Sequence, residues 1–199
     1  MEGIPADLAA HPDRLRWNAR YEAGSGRSFE PHPLARAALD LALPDGPVLD
    51  LACGASGSAL LAAAAGRAVT AVDVSDVALG LLTEQARRRG LDGLISRVQA
   101  DLGIWRPQPD RYALVLCTGY WDRALFPAAA AAVAAGGALG WEAFTTQALE
   151  VRPGLNPKWC LRPGEPSSVL PAGFAVLEVR DLPGGEHGAR RRLLAQRQR

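Results

Sequence analysis

The chain has 199 residues, 22 basic against 21 acidic side chains and a formal net charge of +1. That balance excludes a global electrostatic case for nucleic acid, a membrane surface or an acidic partner, and the length suits one domain, residues 1–199, with one sizeable core. Cys53, Cys117 and Cys160 form no metal-spaced pair and the first residues carry charges without an apolar leader, so a reducing, cytoplasmic setting with no metal site is expected.

Taken in order, His11 to Tyr21 reads as a helix with Trp17, Arg20 and Tyr21 on one face. Two readings stay open for it: an amphipathic helix packed on a sheet with Arg20 snorkelling outward, or a lid over a ligand, with residues 1–30 closing about Gly24-Ser25-Gly26. Pro31-His32-Pro33 starts a second helix at the position proline prefers, with Leu34, Ala37, Ala38 and Leu41 at helical spacing. Pro44-Asp45-Gly46 then turns the chain into a first strand, Val48 to Leu51.

That strand carries Asp50 and runs through Ala52, Cys53, Gly54, Ala55, Ser56 and Gly57 into an alanine-rich helix. A strand, a run of small residues and a helix N-terminus together make a ligand-binding turn at the carboxyl edge of a parallel sheet. The pattern repeats: Ala68 to Val72 ends at Asp73, and Leu94 to Gln99 ends at Ala100-Asp101. A fourth strand, Tyr112 to Cys117, leads into Thr118-Gly119-Tyr120-Trp121, followed by an alanine helix expected to run to Gly136-Gly137 and a fifth strand, Ala138 to Phe144. The window Ala124 to Trp141 has the length of a bilayer span, but Pro127 and Gly136-Gly137 interrupt it, and no membrane span is expected.

Residues 145–171 hold five prolines and Trp159 and are expected to form a cap over the site. Phe174 to Val179 and Arg190 to Ala195, joined through Pro183-Gly184-Gly185, read as a terminal hairpin. Alternating strands and helices imply a three-layer α/β Rossmann-like sheet, mostly parallel. The opening turn lacks the second glycine of the dinucleotide pattern G-x-G-x-x-G, which disfavours a pyrophosphate ligand and leaves a nucleoside.

The segments Val48-Leu49-Asp50-Leu51-Ala52-Cys53-Gly54, Val69-Thr70-Ala71-Val72-Asp73-Val74-Ser75 and Ala100-Asp101-Leu102 resemble class I S-adenosylmethionine-dependent methyltransferases. Trp17-x-x-Arg20-Tyr21, Trp141-Glu142-Ala143-Phe144-Thr145, Asn156-Pro157-Lys158-Trp159 and Leu161-Arg162-Pro163-Gly164-Glu165 are similar to a small bacterial branch of that class. The branch includes tellurite-resistance methyltransferase B and the thiopurine methyltransferases. The resemblance implies seven strands in the order 3-2-1-4-5-7-6, with S-adenosyl-L-methionine as cofactor and S-adenosyl-L-homocysteine as product. It would put Asp50, Ala52, Cys53 and Gly54 around the methionine part of the cofactor, Arg20 towards its carboxylate, Asp73 on the ribose, Val74 beside the adenine, and Asp101 and Leu102 on the adenine. Trp17, Cys117 and Thr118 complete the expected cofactor set; Tyr21, Tyr120 and Trp121 are the substrate-side candidates. Ser56 stands where the family has the second glycine of its loop.

The activity expected is methyl transfer to a small-molecule acceptor, a thiol, a chalcogen oxyanion or a hydroxyl, by in-line displacement. The alternatives are a non-catalytic nucleoside- or effector-binding module, and an RNA methyltransferase using Arg190, Arg191, Arg192, Arg197 and Arg199, against which the near-zero net charge counts. Nothing in the sequence specifies the oligomeric state.

Overall fold

A computed structural model describes residues 4–24 and 28–199. Ser25 and Gly26, expected as a hinge, lie outside the described residues. Seven strands form one sheet in the order β3-β2-β1-β4-β5-β7-β6. They are β1 (Val48–Leu51), β2 (Val69–Asp73), β3 (Ile95–Gln99), β4 (Tyr112–Thr118), β5 (Val133–Phe144), β6 (Phe174–Leu182) and β7 (Arg190–Arg197). The first five pair in parallel, and β7 runs antiparallel to both β5 and β6. The mostly parallel Rossmann-like sheet with a terminal hairpin is therefore as the sequence implies.

Alternation along the strands sorts side chains into two cores. Val48, Leu114 and Leu116 face helices α2 (Pro33–Leu39), α3 (Gly57–Ala64) and α4 (Asp76–Arg88). Leu49, Leu51, Val115 and Cys117 face the other side, where α5 (Leu125–Ala131) supplies Leu125 and Phe126. Two indoles complete that second core: Trp121 lies edge-on to Trp141 at 5.9 Å between centroids, and Phe126 contacts both rings. Burial of Trp121, at 2 % exposure, removes it from the substrate-side candidates. Its ring fills the space between α5 and β5 and does not reach the cavity described below.

The alanine helix is shorter than the sequence suggests, ending at Ala131, and β5 begins at Val133 instead of Ala138. Alanine propensity loses to tertiary pairing here: the amides of Asp110, Arg111 and Tyr112 donate to the carbonyls of Ala131 and Ala132, and Tyr112 registers with Val133. No helix among the described residues is long and apolar enough to cross a membrane.

Helix α1 (Pro12–Glu22) is fixed to the start of α4. Arg14 Nε and Asn18 Nδ2 donate to Asp76 Oδ1 at 2.7 and 2.8 Å, and Ser75 Oγ donates to Asn18 Oδ1 at 2.6 Å while capping α4 at Ala78 N. This network joins α1 to the turn after β2, and so brings its aromatic face over the carboxyl edge of the sheet.

Candidate active site

Sheet order makes β1 and β4 neighbours, with β2 and β3 on one side and β5 and β7 on the other. The crossover from β3 across to β4 opens a crevice above their carboxyl ends, where doubly wound sheets bind ligands. A cavity of about 680 Å³ lies there. Its floor and walls include Ala52, Cys53, Asp73, Val74, Asp101, Leu102 and Thr118, with Trp17, Arg20 and Tyr21 arriving from α1 and Tyr120 from the loop after β4.

Three of the expected cofactor residues do not line it. Asp50, on β1, points to the opposite side of the strand from Leu49 and Leu51 and is 2 % exposed. Its carboxylate accepts from Ser56 Oγ at 2.5 Å, so it braces the turn from below and makes no wall of the cavity. Gly54 lies beneath Tyr21: a Cβ there would meet the phenol oxygen at 2.2 Å, and its φ of +59° is left-handed backbone that glycine adopts at no steric cost. Cys117 is buried between β1 and β5, its Sγ 3.5 Å from the carbonyl of Tyr120, and burial holds its thiol well above the usual range.

Ser56 has a structural reason of its own. It is the N-cap of α3, accepting from Ala59 N at 2.9 Å while donating to Asp50. A glycine there would satisfy neither group, so the serine supplies both a cap for α3 and a partner for a buried acid.

Asp73 occupies the opposite situation. Gly54 N and Ser75 N each donate to it at 2.8 Å, one to each oxygen, and its remaining lone pairs face the cavity. Burial raises its carboxyl, and the amides of Ser75, Gly54 and Val74 act against the rise. Asp101, after β3, takes Gly103 N on Oδ1 at 2.8 Å and has His11 Nε2 3.5 Å from Oδ2. Two acceptor-only carboxylates on adjacent strands suit two sets of donors a nucleoside offers: ribose hydroxyls and an exocyclic amine. Residues Trp17, Tyr21 and Tyr120 supply aromatic faces that attract a cation. The donor set of the cavity thus fits S-adenosylmethionine.

Several lining residues were not among the expected cofactor and substrate-side residues: His11, Asp13, Arg16, Phe144, Arg152, Leu155 and Arg190. They arrive from α1 and the residue before it, the end of β5, the segment that follows it and the start of β7, whose apposition depends on strand order. The arginines read as a nucleic-acid tail are dispersed: Arg191 pairs with Asp181 at 2.5 and 2.9 Å, Arg192 with Glu142 at 2.9 Å, Arg197 with Asp110, and Arg190 faces the cavity. His32 caps α2 through Nδ1 and sits 3.3 Å from Glu142, away from the cavity lining.

Residues 48–137 match the family model described as a methyltransferase domain, which spans β1 to the start of β5. Among solved structures, the cyclase SpnF is similar over 100% of this chain and 99% of its own, at 15% identity and a TM-score of 0.74. A geranyl diphosphate C-methyltransferase from Streptomyces coelicolor A3(2), crystallised with Mg2+, geranyl diphosphate and S-adenosyl-L-homocysteine, aligns over 98% of this chain and 90% of its own, at 14% identity and a TM-score of 0.66. An S-adenosylmethionine-dependent methyltransferase from Mesorhizobium loti aligns over 83% and 96%, at 20% identity and a TM-score of 0.65. No curated protein matches the chain. The fold is the one these structures share, and residues 48–137 carry the pattern of a methyltransferase domain.

Proposed function

We propose that this chain transfers a methyl group to a small-molecule acceptor, a thiol, a chalcogen oxyanion or a hydroxyl, and that it stands with the small bacterial branch of tellurite-resistance methyltransferase B and the thiopurine methyltransferases. The observation that carries this reading is the cavity of about 680 Å³ with Asp73 and Asp101 towards β2 and β3 and an aromatic-walled compartment towards β5 and β7. The bound cofactor supplies an electrophilic methyl group on a positively charged sulfur. The chain's part is to hold, align and dry.

In this reading Asp73 accepts from ribose hydroxyls and Asp101 from the adenine amine, with Val74 and Leu102 against the base. Ala52, Cys53 and Thr118 border the methionine end, and Arg20 faces its carboxylate. Trp17, Tyr21 and Tyr120 surround the sulfur and the incoming nucleophile, where their ring faces favour the cation. Burial raises the phenols of Tyr21 and Tyr120 above their ordinary value, so both remain neutral hydrogen-bonding groups at physiological pH. Helix α1 and residues 145–171 act as the covers of the cavity: α1 contributes Trp17 and Arg20, and the second segment contributes Arg152, Leu155 and Trp159.

Calorimetric titration with S-adenosylhomocysteine tests the reading. The wild-type chain is expected to bind, and Asp73→Ala to bind about tenfold or more weakly, the loss of hydrogen bonds to a charged acceptor. Absence of binding by the wild type, or an unchanged affinity in the variant, overturns it.

A further inference from the structure

Several arginines in this fold pair closely with carboxylates. Arg14 pairs with Asp76, Arg123 with Glu165, Arg191 with Asp181 and Arg192 with Glu142, all between 2.5 and 2.9 Å. Two cavity arginines depart from that habit. Arg152 stacks on Phe144, its guanidinium carbon 4.6 Å from the ring centroid, and has no carboxylate partner among the described residues. Arg190 stacks on the same ring at 4.7 Å. Its carboxylate partner among the described residues, Glu142, lies 3.8 Å away and is already held by Arg192 and His32; Arg190 Nε is buried and makes no hydrogen bond there.

The placement is built by three elements. Arg190 opens β7 directly opposite Phe144, the last residue of β5. Arg152 follows the short helix Thr146–Glu150, its amide bonded to the carbonyl of Ala148 at 2.9 Å. The hairpin loop lies close against the second of these: a Cβ at Gly188 would meet Ala148 Cβ at 2.9 Å and Arg152 Cδ at 3.3 Å.

Sharing one ring puts the two guanidinium groups within about 9 Å of each other, where like charges in a partly dry cavity repel. The cavity's acids do not relieve this. Asp73 and Asp101 lie on β2 and after β3, across β1 and β4 in the sheet order, and Asp13 is engaged by Arg16 at 3.1 Å. Two under-compensated forks with donors free are a site for an oxyanion with paired acceptors, such as a carboxylate or a phosphate. Leu155 and Trp159 stand beside them in the lining, and Arg16 stacks on Trp159 at 4.4 Å. An inorganic ion would leave those apolar walls unused; a ligand with an apolar body covers them.

We infer that the acceptor is an organic anion, anchored by Arg152 and Arg190 through its charged group with its apolar body against Leu155 and Trp159. The inference rests on the methyl-transfer reading of the same cavity. In that arrangement the anchor orients the acceptor and its nucleophilic atom reaches towards Thr118 and Tyr120.

The test is calorimetric titration of the full chain with 1-naphthoate, 1-naphthyl phosphate, neutral 1-naphthalenemethanol and inorganic phosphate, each with and without saturating S-adenosylhomocysteine. Expected are binding of the two aryl anions about tenfold or more tighter than the neutral analogue, and loss of that preference in Arg152→Met and Arg190→Met with S-adenosylhomocysteine affinity unchanged. Equal affinity for the anions and the neutral analogue overturns the inference, as does retention of the preference in both variants. Tighter binding of inorganic phosphate than of the aryl anions overturns the organic part, leaving a site for an inorganic oxyanion. Failure of S-adenosylhomocysteine to bind the wild type would instead sink the methyl-transfer reading, and is read separately from the anion preference. A variant that also loses S-adenosylhomocysteine binding is replaced by Arg152→Lys or Arg190→Lys. These lysine variants keep the charge but lose the fork, and are expected to bind the aryl anions more weakly than wild type; unchanged binding counts against the inference.

Discussion

At the residue scale, Asp50 and Asp73 show how position on a strand separates two acids that look alike in sequence. Asp73 has lone pairs directed into the cavity, whereas Asp50 is sealed under the turn with Ser56 as its hydrogen-bond partner. Burial pushes the Asp50 carboxyl up to about 7 from 3.8, the nearby Asp73 charge adds to the rise, and the Ser56 hydroxyl opposes it. The folded chain thus keeps a proton between pH 3.8 and about 7 that the unfolded chain gives up. Stability from this group is full below that window, falls as pH rises through it and is lost above about 7. Asp50→Asn keeps an acceptor for Ser56 and has no charge to bury. Denaturant unfolding at pH 5, 6, 7 and 8 is expected to show a smaller decline with pH for the variant than for the wild type; equal slopes would count against a buried, proton-bearing Asp50.

Among the elements, α1 matters most to the site, because it brings Trp17, Arg20 and Tyr21 to the cavity without belonging to the sheet. Its attachment is concentrated at Asp76, which takes both Arg14 and Asn18. Burial alone would raise that carboxyl, and the Arg14 and Asn18 hydrogen bonds hold it below its ordinary value instead. Asp76→Ala is therefore expected to loosen α1 while sparing the sheet: hydrogen exchange should accelerate in residues 12–22, remain slow in β1, β4 and β5, and be accompanied by weaker S-adenosylhomocysteine binding. Unchanged exchange in α1 would show that its other contacts suffice. The segment after β5 is a second such element, tied back by Leu161 N donating to Phe144 O at 2.8 Å and by Glu165, which accepts from Arg162 N and pairs with Arg123.

For the whole molecule, the aromatic cluster of Trp121, Phe126 and Trp141 joins α5 to the centre of the sheet, and Trp141 Nε1 donates to the carbonyl of Tyr120 at 2.9 Å. The cluster thus sets the height of the cavity wall while staying outside it. Trp121→Ala is expected to cost about 3–5 kcal/mol of stability, the penalty for a large aromatic removed from a packed core. Measured on the folded fraction, the same variant should bind S-adenosylhomocysteine as the wild type does; a loss of affinity at full folding would return Trp121 to the site.

Much of the architecture was legible before any coordinates. Apolar strands ending in Asp73 and before Asp101, the small-residue turn after β1 and the terminal hairpin are local patterns, and strand order follows from the resemblance those patterns carry. The length of α5 was not legible, since alanine favours helix equally on both sides of Ala131 and only the pairing of Tyr112 with Val133 ends it. Likewise, the sequence by itself determined the half of the cavity built by Ala52, Cys53, Asp73, Val74, Asp101 and Leu102, because these residues follow strand ends and so fall at the carboxyl edge of the sheet. Only the tertiary structure decided the other half: Arg152, Arg190 and Phe144 come from the segment after β5, from β7 and from β5, and antiparallel register and loop contact, neither written in local spacing, bring the two arginines onto the Phe144 ring.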